Sequence, residues 1–319
     1  MAEPVVHLDN VFKRYGGFTA VNGVSFDVHP GEIYGFLGPN GAGKTTTLRM
    51  MLDIIAPTSG TLRILGSASA IPVRRRIGYL PEERGLYKKM KAAEAISYFA
   101  QLRGLSRPLA RKRAMELLTQ FGLEEFARSK CEALSKGMAQ KVQLLSTIAH
   151  EPELLILDEP FSGLDPINQQ TLEGLIRSQR DAGRTIIFST HVMQHAERLC
   201  DRFLIMAHGE KRFEGTMREA RAAFAQRIHV RTTASADALR AVGGVASIRV
   251  EETGDDETTF EIELIDEADP QGFLERLVAS GVRVSRFEQA GATLHDIFVS
   301  LAGDEAPEER RPQLTEAAE

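Results

Sequence analysis

Gly38, Gly43, Lys44 and Thr45 complete the pattern G-x-x-x-x-G-K-[ST] inside the stretch GPNGAGKTTT. The chemistry of such a loop is phosphate recognition. Gly38, Gly41 and Gly43 free the backbone to curl, so that consecutive N–H groups and a helix N-terminus point at phosphate oxygens. Lys44 supplies a point charge for the β and γ phosphates, and the Thr45 hydroxyl is placed to ligate Mg²⁺. Asn40 and Thr46, in the same loop, join the expected nucleotide-binding set. The pattern predicts a nucleoside triphosphate site.

About a hundred residues on, LLILDEP ends an apolar run in two adjacent carboxylates, Asp158 and Glu159. Neighbouring side chains on a strand face opposite ways, but at the C-terminal end the chain bends and both can reach one crevice. One is then free to hold Mg²⁺ while the other activates water. These two elements do not distinguish a transport ATPase from a helicase, a GTPase or a small-molecule kinase. Three further stretches do: LSKGMAQKVQ at Leu134 to Gln143, SGLD at Ser162 to Asp165, and STH at Ser189 to His191. Ser135 and Gly137 fall where a helix begins, a second place suited to an anion.

Short apolar strands alternating with helices must position these residues. EIYGFLG reads as the strand before the phosphate loop, and GAGKTTTLRMML turns helical. Ala92 to Cys131 carries two helical patterns around a Gly-Leu-Ser-Arg-Pro break, a helical insertion. A helix near Ser135, a strand at Glu153 to Leu157, a helix from Pro166 and a strand at Arg184 to Phe188 complete the pattern of a parallel sheet wrapped by helices. Beyond Arg221 the order becomes β-α-β-β-α-β, the ferredoxin-like signature, closed by the helical stretch ATLHDIFVSLAG.

The expected organisation is an α/β P-loop domain over residues 1–225, with its helical subdomain at about 82–133. A small α+β ferredoxin-like domain over 226–302 follows, and then a tail at 303–319 too poor in apolar groups to fold.

The composition fits this. The chain has 319 residues, 43% hydrophobic and 26% charged, which excludes collagen-like, disulfide-scaffold and wholly disordered classes. Lys plus Arg total 39 against 44 acids, a formal charge of −5, the wrong sign for bulk nucleic-acid binding. The tail holds six acids against two arginines, so most of that acidity belongs to it. Cys131 and Cys200 form no paired motif, which suits a reducing compartment. No apolar run approaches the roughly 20 residues that cross a bilayer, and the N-terminus lacks a secretory pattern, so a cytosolic chain is expected.

In this order and spacing the motifs resemble those of the nucleotide-binding subunits of ABC transporters, over nearly all of residues 5–220. The resemblance implies ATP sandwiched between two such domains, each pairing its phosphate loop with the partner's signature helix, in a homodimer or heterodimer. Tyr15 then looks like the aromatic that stacks on adenine. Lys44, Thr45 and Asp158 would hold phosphates and Mg²⁺, Glu159 would be the general base, and His191 would bridge it to the γ-phosphate and attacking water. Ser135 and Gly137 would close over the partner's nucleotide, and Asp165 would sit at the dimer seam.

Two departures stand out. Glu82, in IGYLPEERGLY, replaces the family's usual glutamine with an anionic group near the metal. The signature reads L-S-K-G-M, with Lys136 and Met138 in place of glycine and glutamine. YLPEERGLY, LSKGMAQKVQ and the closing ATLHDIFVSLAG resemble a narrower group, the ATPase subunits of sodium exporters and daunorubicin-type drug exporters, which carry a C-terminal accessory domain. That resemblance implies a separate membrane permease, docked through the helical insertion on the cytoplasmic face, and an export function. The alternative is a soluble ABC-type ATPase serving ribosomes or DNA.

Overall fold

A computed structural model describes residues 3–83, 85–222, 227–254, 256–265, 269–290 and 293–302. The chain divides into two units, Met1–Ala220 and Arg221–Glu319. The expected tail at 303–319 and the expected boundary at residue 225 lie outside the described residues.

The first unit opens with β1 (Val6–Tyr15), β2 (Phe18–Val28), β3 (Ile33–Leu37), α1 (Lys44–Met51), β4 (Ser59–Ile64) and β5 (Ile77–Leu80). Helices α2 (Ala92–Leu102) and α3 (Arg107–Gln120) form the insertion, which ends in short 3-10 turns at Glu124–Phe126 and Cys131–Ala133. Then come α4 (Lys136–Ile148), β6 (Leu154–Leu157), α5 (Pro166–Asp181), β7 (Thr185–Thr190), α6 (Met193–Leu199), β8 (Arg202–Ala207), β9 (Glu210–Gly215) and α7 (Met217–Ala222).

Six strands make the main sheet in the order β5-β6-β7-β3-β8-β9, parallel except for the β8–β9 pair. The runs IYGFL, LLIL and TIIFST are buried at every position, as strands covered on both faces must be. Each fully buried Leu, Ile or Phe there contributes about 1.5–3 kcal/mol, offset by the entropy lost in ordering the chain. A second, antiparallel sheet, β2-β1-β4, packs through Val6, Leu8, Val24 and Phe26 onto the same core as α1 and Tyr34 and Phe36 of β3. On the other side, α2, α3 and α4 share one core with β6 and β7 through Ile96, Leu118, Leu145, Leu155 and Phe188.

The second unit runs β10 (Arg227–Thr232), α8 (Ala236–Ala241), β11 (Val245–Thr253), β12 (Thr258–Leu264), α9 (Pro270–Ala279), β13 (Val284–Ala290) and α10 (Leu294–Ala302). The sheet order is β11-β12-β10-β13, antiparallel throughout, which is the ferredoxin-like arrangement that the β-α-β-β-α-β reading predicts. Ile228, Val230, Phe260 and Ile262 alternate inward against Leu239, Phe273 and Leu277 of the helices.

Candidate functional site

Parallel register decides where the chemistry gathers. Leu80 pairs with Leu157, Leu157 with Phe188, and Thr190 with Leu37, so the next residues of four strands emerge along one carboxyl edge. Gly38 and Asp158 directly follow β3 and β6, Glu82 lies two residues beyond β5, and Ser189 is the penultimate residue of β7. An α/β sheet binds its ligands at this edge.

The phosphate loop passes from β3 into α1 through Gly43, whose φ of +99° belongs to glycine. A Cβ there would stand 2.5 Å from the Ala20 carbonyl oxygen, so the loop lies flat against β2 only because that atom is missing. The helix has no side-chain cap, which leaves its first N–H groups directed into the loop.

Lys44 is buried, and its Nζ donates to the carbonyls of Gly38 (2.7 Å) and Pro39 (3.2 Å). It lies 3.5 Å from Glu159 Oε1. Thr45 Oγ1 donates to Asp158 Oδ1 at 3.3 Å, and Ser189 Oγ donates to the same oxygen at 2.6 Å. Ser189 Oγ in turn accepts from the Glu159 backbone N–H at 2.9 Å. His191 Nδ1 and Glu159 Oε2 are 3.0 Å apart, a hydrogen bond when Nδ1 carries the proton.

The bend expected after Asp158 has a definite origin. Glu159 adopts a left-handed backbone, φ +45°, unusual for a residue with a side chain and costing about 1–2 kcal/mol. That turn brings the second carboxylate to the same side as the first. Burial pushes the Asp158 carboxyl above its ordinary value, against the hydrogen bonds from Ser189 and Thr45. Asp158 Oδ2 and Glu159 Oε1 are buried without a hydrogen-bond partner among the described residues. A carboxylate oxygen kept in that state, beside a threonine hydroxyl, is a donor set that fits Mg²⁺.

A second group forms at the starts of α4 and α5. Ser135 caps α4, accepting from the Met138 N–H at 3.3 Å, and Asp165 caps α5, accepting from the Asn168 N–H at 2.9 Å. The Asn168 side chain donates to Asp165 Oδ2 at 2.5 Å. Its amide also lies against Gly137, where a Cβ would meet Nδ2 at 2.6 Å, so α4 and α5 approach at a glycine. Lys136 stretches over Gly163 of SGLD. The hydrogen bonds to Asn168 hold the exposed Asp165 carboxyl below its ordinary range.

The structure thus joins Lys44, Thr45, Asp158, Glu159 and His191 in one cluster, and Ser135, Gly137 and Asp165 in another. Among the described residues, no hydrogen bond or ion pair connects the two. Asn40 is exposed at the loop tip and Thr46 half-buried in the first turn of α1. Tyr15, 47% exposed on the β1–β2 hairpin, has Lys13 Nζ 4.9 Å over its ring. Among the described residues Glu82 forms no hydrogen bond with Asp158; burial raises the half-buried Tyr79 hydroxyl, and the charges of Asp158 and Glu82 raise it further. Sequence reasoning missed Ser189 and Asn168. Ser189 stands inside the STH triplet, and its place beside the acidic strand end was the available signal.

Comparison with known proteins agrees with these geometries. Residues 21–162 match the ABC transporter family, and residues 215–302 match the C-terminal domain of DrrA1-3-like ATP-binding proteins. The Bacillus subtilis ABC transporter ATP-binding protein YhaQ is 38% identical over 93% of this chain and 98% of its own length. Nod factor export ATP-binding protein I of Paraburkholderia xenovorans is 40% identical over 67% of this chain and 72% of its own. Linearmycin resistance ATP-binding protein LnrL of B. subtilis is 36% identical over 66% of this chain and 69% of its own.

A solved ATP-binding subunit of an ABC transporter superposes with a TM-score of 0.64 at 33% identity, over 69% of this chain and 93% of that one. Fold, motif geometry and ancestry thus support the transporter reading over the soluble alternative. The chain belongs to the ABC transporter ATP-binding family, as an ATP-hydrolysing subunit with a C-terminal domain of the DrrA1-3-like kind.

Proposed function

We propose that residues 1–225 bind and hydrolyse ATP at a site completed by a second ATP-binding subunit, identical or paralogous. The energy is passed to a separate permease that exports a drug-like compound. Residues 226–302 are then an accessory domain. The observation that carries this reading is the buried Lys44–Glu159 pair, hydrogen-bonded to the exposed His191 and set beside an Asp158 oxygen without a partner among the described residues.

In this reading Tyr15 stacks on the adenine, and the loop from Gly38 to Thr46, with Gly41 and Asn40 at its tip, wraps the phosphates. Lys44 meets the β and γ oxygens. Thr45 and Asp158 hold Mg²⁺, with Glu82 at the adjacent strand end; when bound, the ion offsets phosphate charge. Glu159 takes the proton from the attacking water, and His191 fixes the carboxylate through the 3.0 Å contact. Ser135 and Gly137 close over the partner's nucleotide and Asp165 sits at the dimer seam, places that suit the exposed caps Ser135 and Asp165.

Among the described residues, no helix is long and apolar enough to cross a membrane. A permease must therefore supply the path, with this subunit on the cytoplasmic face and the helical insertion as its docking side. Relatives named for Nod factor export and linearmycin resistance favour the drug-like substrate over sodium. No part of this reading calls on nucleic acid.

Glu159→Gln should lower turnover by at least about 100-fold while ATP still binds, trapping an ATP-bound dimer. Phosphate release and sedimentation of the variant with ATP check both halves. Hydrolysis at the native rate would remove Glu159 from the base role.

A further inference from the structure

A second histidine, outside every motif used so far, lies one helical turn beyond His191. His195 is 4% exposed, in the first turn of α6. Its ring stacks on Phe161, with centroids 4.0 Å apart and planes 14° from parallel. Its Nδ1 lies 3.2 Å from Oε1 of Glu173, a carboxylate also 4% exposed. Arg198 (3.5 Å) and Arg177 (3.9 Å) add charge to the same carboxylate from the surface.

The three elements that meet at this imidazole each lead to the hydrolytic site. Phe161 follows Glu159 by two residues, within a turn closed by the Ser162 N–H to the Glu159 carbonyl at 3.1 Å. It also packs edge-on against Phe188, the residue before Ser189. Glu173 stands on α5, whose cap is Asp165. His195 itself lies in the first turn of the helix that His191 leads into. A flat ring at van der Waals distance, hydrogen-bonded to a buried carboxyl when Nδ1 carries the proton, allows little sliding.

We propose that His195 is a positioning residue for hydrolysis: by locking α6 to Phe161 and to Glu173, it holds His191 at hydrogen-bond distance from Glu159. Loss of a positioning contact lets the pair drift, and misplacement on the scale of 1 Å costs up to about 100-fold in rate. The inference rests on the reading of His191 and Glu159 given above.

The test uses the full chain in four forms: native, His195→Phe, His191→Ala and the double variant. His195→Phe keeps a flat ring against Phe161 and removes the donor to Glu173. The expected result is a kcat about tenfold lower with KM for ATP within about twofold of native, because the phosphate loop is untouched. In the His191→Ala background the same change should cost nothing further, since a residue acting through His191 has nothing left to position.

Native kcat in His195→Phe, or a full tenfold loss repeated in the His191→Ala background, would overturn the inference. If His191→Ala itself hydrolyses at the native rate, the site reading fails and the inference with it. A large loss for His191→Ala with none for His195→Phe overturns the inference alone. Should His195→Phe not fold, Glu173→Met, which removes the acceptor for Nδ1 at similar side-chain size, is read by the same two criteria.

Discussion

The two halves of the nucleotide site are built in opposite ways. In the phosphate-loop half, Lys44, Asp158 and Glu159 are 6%, 1% and 7% exposed; Lys44 pairs with Glu159, and Asp158 accepts from Thr45 and Ser189, across three segments of chain. In the signature half, Ser135 and Asp165 are exposed and, among the described residues, bonded only within their own helix starts. The first is finished by strand register inside one subunit. The second is a pair of helix starts that, in the proposed reading, a second subunit's nucleotide completes.

The largest break in that contrast is Lys44→Ala. It removes a charged donor from the buried half and leaves Glu159 without its cation, so a lone chain should lose about 10- to 100-fold in ATP affinity. Titration calorimetry checks it, and unchanged affinity would detach the loop from the nucleotide.

Ser135→Ala probes the other half. A lone chain should bind ATP as before, while ATP-driven dimerisation weakens severalfold and α4 loses about 1 kcal/mol with its cap. Native dimerisation at raised ATP would contradict an intermolecular role for this helix start.

The smallest effect sharpens the electrostatics. The raised Asp158 carboxyl contributes stability only at low pH, below its unfolded value near 3.8, and loses it as pH rises through the folded value. Asp158→Asn without nucleotide should therefore be about 1 kcal/mol more stable than native at neutral pH. That gain should shrink toward pH 4, although the variant should hydrolyse little. Thermal melts across pH 4–8 decide the sign.

Much of the fold was legible because burial on both faces leaves continuous apolar runs: β3, β6 and β7 declare themselves, as does α4 behind its serine cap. Less visible are β4, where Ile64 alone is buried, and β8 and β9, which the sequence reading passed over. Within the candidate site, Lys44, Thr45, Asp158 and Glu159 are named by residue type and spacing, and His191 by the family resemblance.

Ser189 does not. Its hydroxyl reaches Asp158 only because Leu157 and Phe188 are partners in adjacent strands, a fact of tertiary register. Asn168 escapes for the same kind of reason, since its importance depends on two helices meeting at Gly137. Local pattern names the residues that touch substrate; what holds them is written in contacts between distant segments.

The ammonium of Lys44 is already engaged, by two carbonyls of its own loop and by the carboxylate of Glu159. A phosphate entering the loop competes for that ammonium and, on winning it, releases the carboxylate. Binding of substrate and readiness of the base become a single exchange of partners. In the proposed reading, an empty subunit holds its base through an ion pair, and the arriving phosphate itself, rather than a moving lid, sets that base free.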